Sequence, residues 1–249
     1  MRLVLEEKQH ASSYFCTFSV DDAHRNEGHS LSVEVWQKLM KRLRHHRPGD
    51  GIRYFCAGEY GSRTLREHYH ALLFGLVLDD LVPIAGKVGE FTSEFLNEVW
   101  GMGFVHVGAV TADSIAYCTE YIVDKRTGPL AESHYSWVDP VSGEVHRRTP
   151  EFALMSRRPG IGAAGFQRWS AEIFRGDFIA IKGGGKAPVP AYYDRLLLRE
   201  DPEFLESIKV ARMERAATPQ NAWNSTPERL AVREEVARSR RQAFRKGVL

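Results

Sequence analysis

The chain has 249 residues, 43% of them hydrophobic and 27% charged, a balance that fits one globular domain with an appendage and excludes disordered, collagenous and fibrous classes. The longest stretch without Asp, Glu, Lys or Arg runs over 99–112, too short for a membrane helix, and the N-terminus MRLVLEEKQH lacks the basic start and apolar block of a secretory signal. The formal net charge of +2 conceals two basic clusters without an acid among them: Lys38, Lys41, Arg42, Arg44 and Arg47, and, in the tail, Arg238, Arg240, Arg241, Arg245 and Lys246. Such patches on a near-neutral body suit a polyanion, and a solvated helix face reads the same way.

In chain order, YFCTFSV over 14–20 is aromatic and β-branched and predicts a strand, followed by the turn chemistry of DDAHRNEGH. A helix is predicted from about Ser32. Val33, Trp36, Leu39, Met40 and Leu43 recur at spacings of three and four, the basic cluster takes the remaining face, and Pro48, Gly49 and Gly51 end it. Residues 52–59 and 67–78 read as an antiparallel hairpin joined by YGSRTLR. A short helix over 92–100, capped by Thr92 or Ser93, precedes a strand over 103–110 and a helix over 111–125. The order β-α-β-β-α-β plus a helix predicts an α+β fold built on an antiparallel, ferredoxin-like (split βαβ) sheet with helices on one face. Residues 126–149 read as a polar insertion, 151–156 as a strand and 165–174 as a helix. The Gly/Pro-rich stretch over 182–192 reads as a linker between a first domain, 1–181, and a helical basic region, 193–249.

Three sets of residues bear chemistry. In REHYHALLFG, His68 and His70 are two apart on a predicted strand, so both imidazoles leave one face. An HxH pair alone has a structural reading too. Glu59, at a comparable distance from the hairpin turn, can stand beside them and complete a two-His, one-carboxylate set that suits Mn²⁺ or Mg²⁺ better than a closed zinc site. In SIAYCTEYIVDK, Tyr117 and Tyr121 share a helix face, with Lys125 one turn further on; taken alone, such a pair is more often core packing than a pair of nucleophiles. A phenol that titrates near ~10 needs activation before it attacks phosphorus. Gly160, Gly162 and Gly165 spell GxGxxG, but Arg157, Arg158 and Pro159 stand where a strand would have to run into the turn, which argues against a dinucleotide site. Two readings of that loop stay open: amides that hold a DNA phosphate together with Arg157 and Arg158, or a turn that needs glycine. Cys16, Cys56 and Cys118, an odd number in apolar stretches, argue against a disulfide framework and for a reducing compartment.

Four blocks in order, YFCTFS, GEYG with HYHALLFG, YCTEYIVDK and FALMSRRPGIG, resemble the replication initiator proteins of microviruses, gokushoviruses above all, within the HUH endonuclease superfamily. The resemblance extends to YYDRLL beyond the glycine stretch. It implies that 1–181 is a nicking and joining domain, that Glu59, His68 and His70 hold a divalent ion, Mn²⁺ or Mg²⁺, and that Tyr117 and Tyr121 attack a phosphodiester to give a 5′-phosphotyrosine, with Lys125 assisting. The family's lysine falls three residues after the second tyrosine, where this chain has Asp124, with Lys125 one place later. Members usually also carry a cysteine-bearing segment and a full helix before the point where this chain begins. The implied role is initiation of rolling-circle replication in the cytoplasm of an infected bacterium. The implied partners are single-stranded and supercoiled origin DNA, contacted by Lys38, Lys41, Arg42, Arg44, Arg157 and Arg158, together with host helicase and replication machinery, and no membrane. Two other classes remain beside it: a DNA-binding module without catalysis, and a metal-dependent hydrolase, for which the only later histidines, His134 and His146, fall in the polar insertion.

Overall fold

The computed structural model describes all residues but 27, 62, 63, 182, 183 and 249, and the side chains of 121–124 and 244–249 also lie outside the described set. The chain divides into two compact units, Met1–Ser170 and Ala171–Leu249.

In the first unit α1 (Arg2–Glu7) leads into β1 (Ser13–Ser19), α2 (Val33–His46), β2 (Arg53–Tyr60) and β3 (Glu67–Phe74). Short strands β4 (Leu81–Pro83) and β5 (Phe91–Ser93) precede α3 (Glu94–Trp100), β6 (Val105–Ala109) and α4 (Ala112–Asp124). Then come α5 (Leu130–Tyr135), the hairpin of β7 (Ser136–Val138) and β8 (Val145–Arg147), β9 (Phe152–Met155) and α6 (Ala163–Gly176), within which the division between the units falls. Seven strands form one antiparallel sheet in the order β4-β5-β6-β1-β3-β2-β9, so the α+β class holds.

Both faces of the central strands are apolar, and each face is covered by helices. Cys16, Phe18, Cys56, Tyr69, Ala71, Leu73, Val105 and Val107 pack with Trp36, Leu39, Met40 and Leu43 of α2 and with Leu96, Val99 and Trp100 of α3. Phe55, Ala57, Leu72 and Phe74 point the other way and meet Leu3 of α1 and Ile115 and Cys118 of α4. The expectation of helices on one face is therefore corrected: the alternate positions of β2 and β3 are as hydrophobic as the first set and need their own cover. Ser32 caps α2 through the Val35 amide and Ser93 caps α3 through the Leu96 amide, each contact contributing ~1 kcal/mol. The three cysteines are free and buried, and burial pushes each thiol well above its ordinary pKa.

The strand expected over 67–78 stops at Phe74. Gly75 has φ +79°, and a Cβ there would lie 2.9 Å from the Asp50 carbonyl oxygen, so only glycine permits this turn. The insertion over 126–149 is not simply polar. Tyr135 is buried; its hydroxyl accepts from the Arg126 amide and donates to Glu151, and burial with that carboxylate pushes the phenol up to about 12.

In the second unit β10 (Ile179–Ile181) and β11 (Gly185–Ala187) pair antiparallel, followed by α7 (Ala191–Glu200), α8 (Pro202–Ala217), α9 (Pro219–Asn224) and α10 (Pro227–Val248). The stretch expected to be a linker thus carries a strand, and the division falls at 170/171 instead of at 182. Gly184 stands just before β11 at φ +80°. Tyr193, Leu197, Leu205 and Ile208 are buried, and Arg212 donates to both Asp177 and Asp194. Among the described residues no helix is long and apolar enough to cross a membrane.

Candidate active site

The register of β3 against its two neighbours assembles the site. His68 pairs with Glu59 of β2 and Ser19 of β1, while His70 pairs with Ala57 and Thr17. Residues 68 and 70 fall on the same side as Leu72 and Phe74, the side that α4 covers. Glu59 Oε1 and His70 Nε2 are 2.7 Å apart, and both side chains are nearly sealed, with residue exposures of 7% and 5%. The His70 and His68 rings lie near-parallel at 6.4 Å, so the expected trio shares one patch of sheet.

Three contacts fix His70. Thr17 Oγ1 lies 3.0 Å from His70 Nδ1, Phe15 stacks on the ring at 5.9 Å, and the Cys118 thiol donates to the His70 carbonyl at 3.4 Å. Thr17 was missed in the sequence. The signal was present, because in TFS the alternation of β1 turns Thr17 away from buried Cys16 and Phe18, but its value depends on β1 being the neighbour of β3.

Burial, and secondarily the neighbouring His70, holds the His68 imidazole below its ordinary pKa, so the ring is neutral near pH 7 and keeps a lone pair. Glu59 Oε2 and His68 Nδ1 are buried without a hydrogen-bond partner among the described residues. Such orphans cost ~1–3 kcal/mol each when nothing else binds them. No group of three His, Cys, Asp or Glu among the described residues forms a ready metal cage, since Glu59 and His70 bond each other directly. One carboxylate and two imidazoles, with Glu59 Oε2 and His68 Nδ1 among the unsatisfied buried atoms, are the groups here that could ligate a divalent cation.

The helix α4 brings the candidate nucleophile. Thr111 and Ser114 form a reciprocal capping box at its start, and Tyr117, half-buried, sets its ring edge-on to His70 at 5.2 Å and to Phe15 at 5.9 Å. Position 121 lies one turn on, and the Tyr121 side chain is outside the described residues. The helix ends at Asp124, one residue short of expectation. Lys125 is its exposed C-cap in a non-helical conformation (φ −50°, ψ 122°).

The expected DNA contacts separate into distinct environments. Lys38 pairs with Glu34 at 2.9 Å on the open face of α2, and Lys41 is exposed. Arg42 donates to the carbonyls of Val99 and Trp100, so its guanidinium closes the C-terminus of α3. Arg44 donates to the Ile52 carbonyl and lies over the Tyr54 ring, whereas Arg157 and Arg158 are exposed. In the glycine loop the Gly162 amide donates to Glu6, so an internal carboxylate sits where a phosphate was one expectation; Gly162 itself has φ +83°.

The family model described as a replication-associated protein of the ORF2 type matches residues 13–126, a span that contains Glu59, His68, His70, Tyr117, Tyr121 and Lys125. Replication-associated protein VP4 of Bdellovibrio phage phiMH2K is 26% identical over 216 residues, 82% of this chain and 63% of that one. Replication-associated protein ORF2 of Spiroplasma virus 4 is 33% identical over 228 residues, 85% and 67% of the two chains. Replication-associated protein ORF4 of Chlamydia phage 1 is 26% identical over 134 residues, 50% and 34%. The chain therefore spans about two thirds or less of the length of these relatives. No solved structure matches it.

Proposed function

We propose, from the premise that this chain belongs to the family of phage replication-associated proteins, that it initiates rolling-circle replication by nicking and rejoining single-stranded origin DNA through a tyrosine ester. The observation that carries the reading is the Tyr117 ring, edge-on to His70 at 5.2 Å. The strand order β6-β1-β3-β2 within the larger sheet supports the split βαβ, HUH-type interpretation of the core.

In this reading the phenol oxygen of Tyr117 attacks the scissile phosphorus, the bond from phosphorus to the 3′ oxygen breaks, and the 3′ oxygen takes up the proton that the phenol releases. One phosphodiester replaces another, so the 5′-phosphotyrosine retains the energy needed for joining. A divalent Mn²⁺ or Mg²⁺ held by Glu59, His68 and His70 supplies polarisation of the phosphoryl oxygen and stabilisation of the departing 3′ oxygen. Thr17 orients His70, and neutral His68 offers its lone pair. Tyr121, one helical turn from Tyr117 and about 5–6 Å away at Cβ, serves as the second nucleophile that cuts the regenerated origin while the first ester persists. Lys125 at the end of α4 assists the phenolate or the phosphate. Lys38 and Lys41 contact DNA phosphates, Arg157 and Arg158 meet only phosphates remote from the cut, and the site of action is the cytoplasm of the infected bacterium, with host helicase as partner.

Covalent capture of end-labelled origin DNA tests the reading. Wild type with Mn²⁺ yields an adduct, Tyr117→Phe and Tyr121→Phe each retain part of it, and the double variant yields none. Full adduct in EDTA removes the metal from the proposal. An adduct that maps to neither tyrosine overturns the nucleophile assignment, and DNA binding with no adduct leaves a binding module.

A further inference from the structure

Five arginines among the described residues of the first unit gather away from the histidines. An open cleft of about 790 Å³ lies between the C-terminal end of α2, the start of β2 and the segment after β9, and arginines 44, 47, 53, 157 and 158 line it. No Asp or Glu is among its lining residues. Arg53 begins β2 and Glu59 lies six residues along the same strand, so the cleft stands ~20 Å from the histidines.

Part of this charge has structural work. Arg53 is held by the buried Glu6 carboxylate and the Pro159 carbonyl, and Arg44 donates to the Ile52 carbonyl. Arg47 lies over Phe95 and 3.9 Å from the exposed Asp79. These groups also complement the negative end of the α2 dipole. Arg157 and Arg158 have no such duty: both are exposed, and neither guanidinium has a hydrogen-bond or ion-pair partner among the described residues. The fold thus brings two unpaired guanidinium groups beside three anchored ones, in a concavity without a carboxylate.

We infer that this cleft is a second phosphate-binding subsite, which grips the single-stranded DNA backbone about 20 Å away from the nucleotide being cut. The inference rests on the nicking reading for the place of the cut and on the arginines alone for the ligand. A planar fork of donors matches phosphodiester oxygens, and the cleft is far larger than one phosphate and open along its length, as a chain of phosphates requires. An acidic protein segment is the rival that the test must separate.

The experiment titrates full-length protein with labelled single strands: a short one confined to the nick, and two series extended on the 5′ or the 3′ side. With Arg157→Ala/Arg158→Ala, the short strand should bind as in wild type. An extended strand should lose about 1.4 from the slope of log K against log salt, since each phosphate contact contributes ~0.7. That corresponds to a salt-induced loss of affinity ~7-fold smaller between 50 and 200 mM. Arg157→Lys/Arg158→Lys should restore the slope, and an unchanged melting curve certifies the fold. An unchanged slope at every length overturns the subsite, and the same result with loss of poly-glutamate binding reassigns the cleft to an acidic protein. Adduct formation is scored on the short strand in parallel: adduct with an unchanged slope removes the cleft alone, and an altered slope with no adduct removes the nicking reading and leaves the cleft.

Discussion

At the residue scale, a single hydroxyl on β1 determines how His70 presents itself. Thr17 Oγ1 at 3.0 Å can accept from Nδ1–H, which favours the tautomer whose Nε2 could ligate an ion once its present contact with Glu59 Oε1 at 2.7 Å gives way. Thr17→Val keeps the volume and the β-branch but removes this partner, so both tautomers become accessible. Loss of a partner that orients a metal-binding histidine costs ~10–100-fold in ion affinity, and the expected outcome is a fall of that size in Mn²⁺ binding by calorimetric titration. Thr17→Ser should recover it, and a Thr17→Val protein with wild-type affinity would deny the hydroxyl its role. Glu59, His68 and His70 were legible in the sequence because a two-residue period and one hairpin turn suffice to bring them together. Thr17 was not, because it reaches His70 only through the pairing of strands more than fifty residues apart.

Among the elements, α1 is tied down by one carboxylate. Glu6 is 1% exposed; burial alone would raise its pKa, but His10, the Gly162 amide and Arg53 overcome that and bring it to about 2. The folded value lies below the ~4.3 of an unfolded glutamate, so the contribution to stability is present above that pH and is lost as pH falls towards 2. It amounts to roughly 3 kcal/mol at most. Glu6→Gln should therefore lower the urea midpoint clearly at pH 6 and progressively less down to pH 3; a gap independent of pH would mean that the carboxylate charge is irrelevant. This clasp was invisible in MRLVLEEKQH, where Glu6 and Glu7 look alike; only the fold selects one to meet Arg53. By contrast α2 was readable over its whole length, because a 3.6-residue period needs no knowledge of its partner. The short strands β4 and β5 carry three residues each, too few to establish any period.

On the scale of the whole molecule, the C-terminal unit carries its own concentration of cations. The helix α10 is exposed along its described length except at half-buried Arg229 and Arg241, and its last turns carry Arg238, Arg240 and Arg241, while the side chains of Arg245 and Lys246 lie outside the described residues. Deletion of 238–249 removes five cations, so the slope of log K against log salt on single strands should flatten by at most ~3.5. An unchanged slope would assign the tail to something other than DNA. The two-unit division was only partly legible: a glycine run reads the same in a linker and in a hairpin turn, and nothing local distinguishes them. The cysteines carry a practical consequence. Cys16, Cys56 and Cys118 are all 0% exposed, with thiols that burial keeps protonated, so the native protein should be silent towards alkylating dyes. One engineered thiol, such as Arg158→Cys at the rim of the arginine cleft, would then take up a fluorophore selectively in the otherwise natural chain and report in real time when a DNA strand arrives.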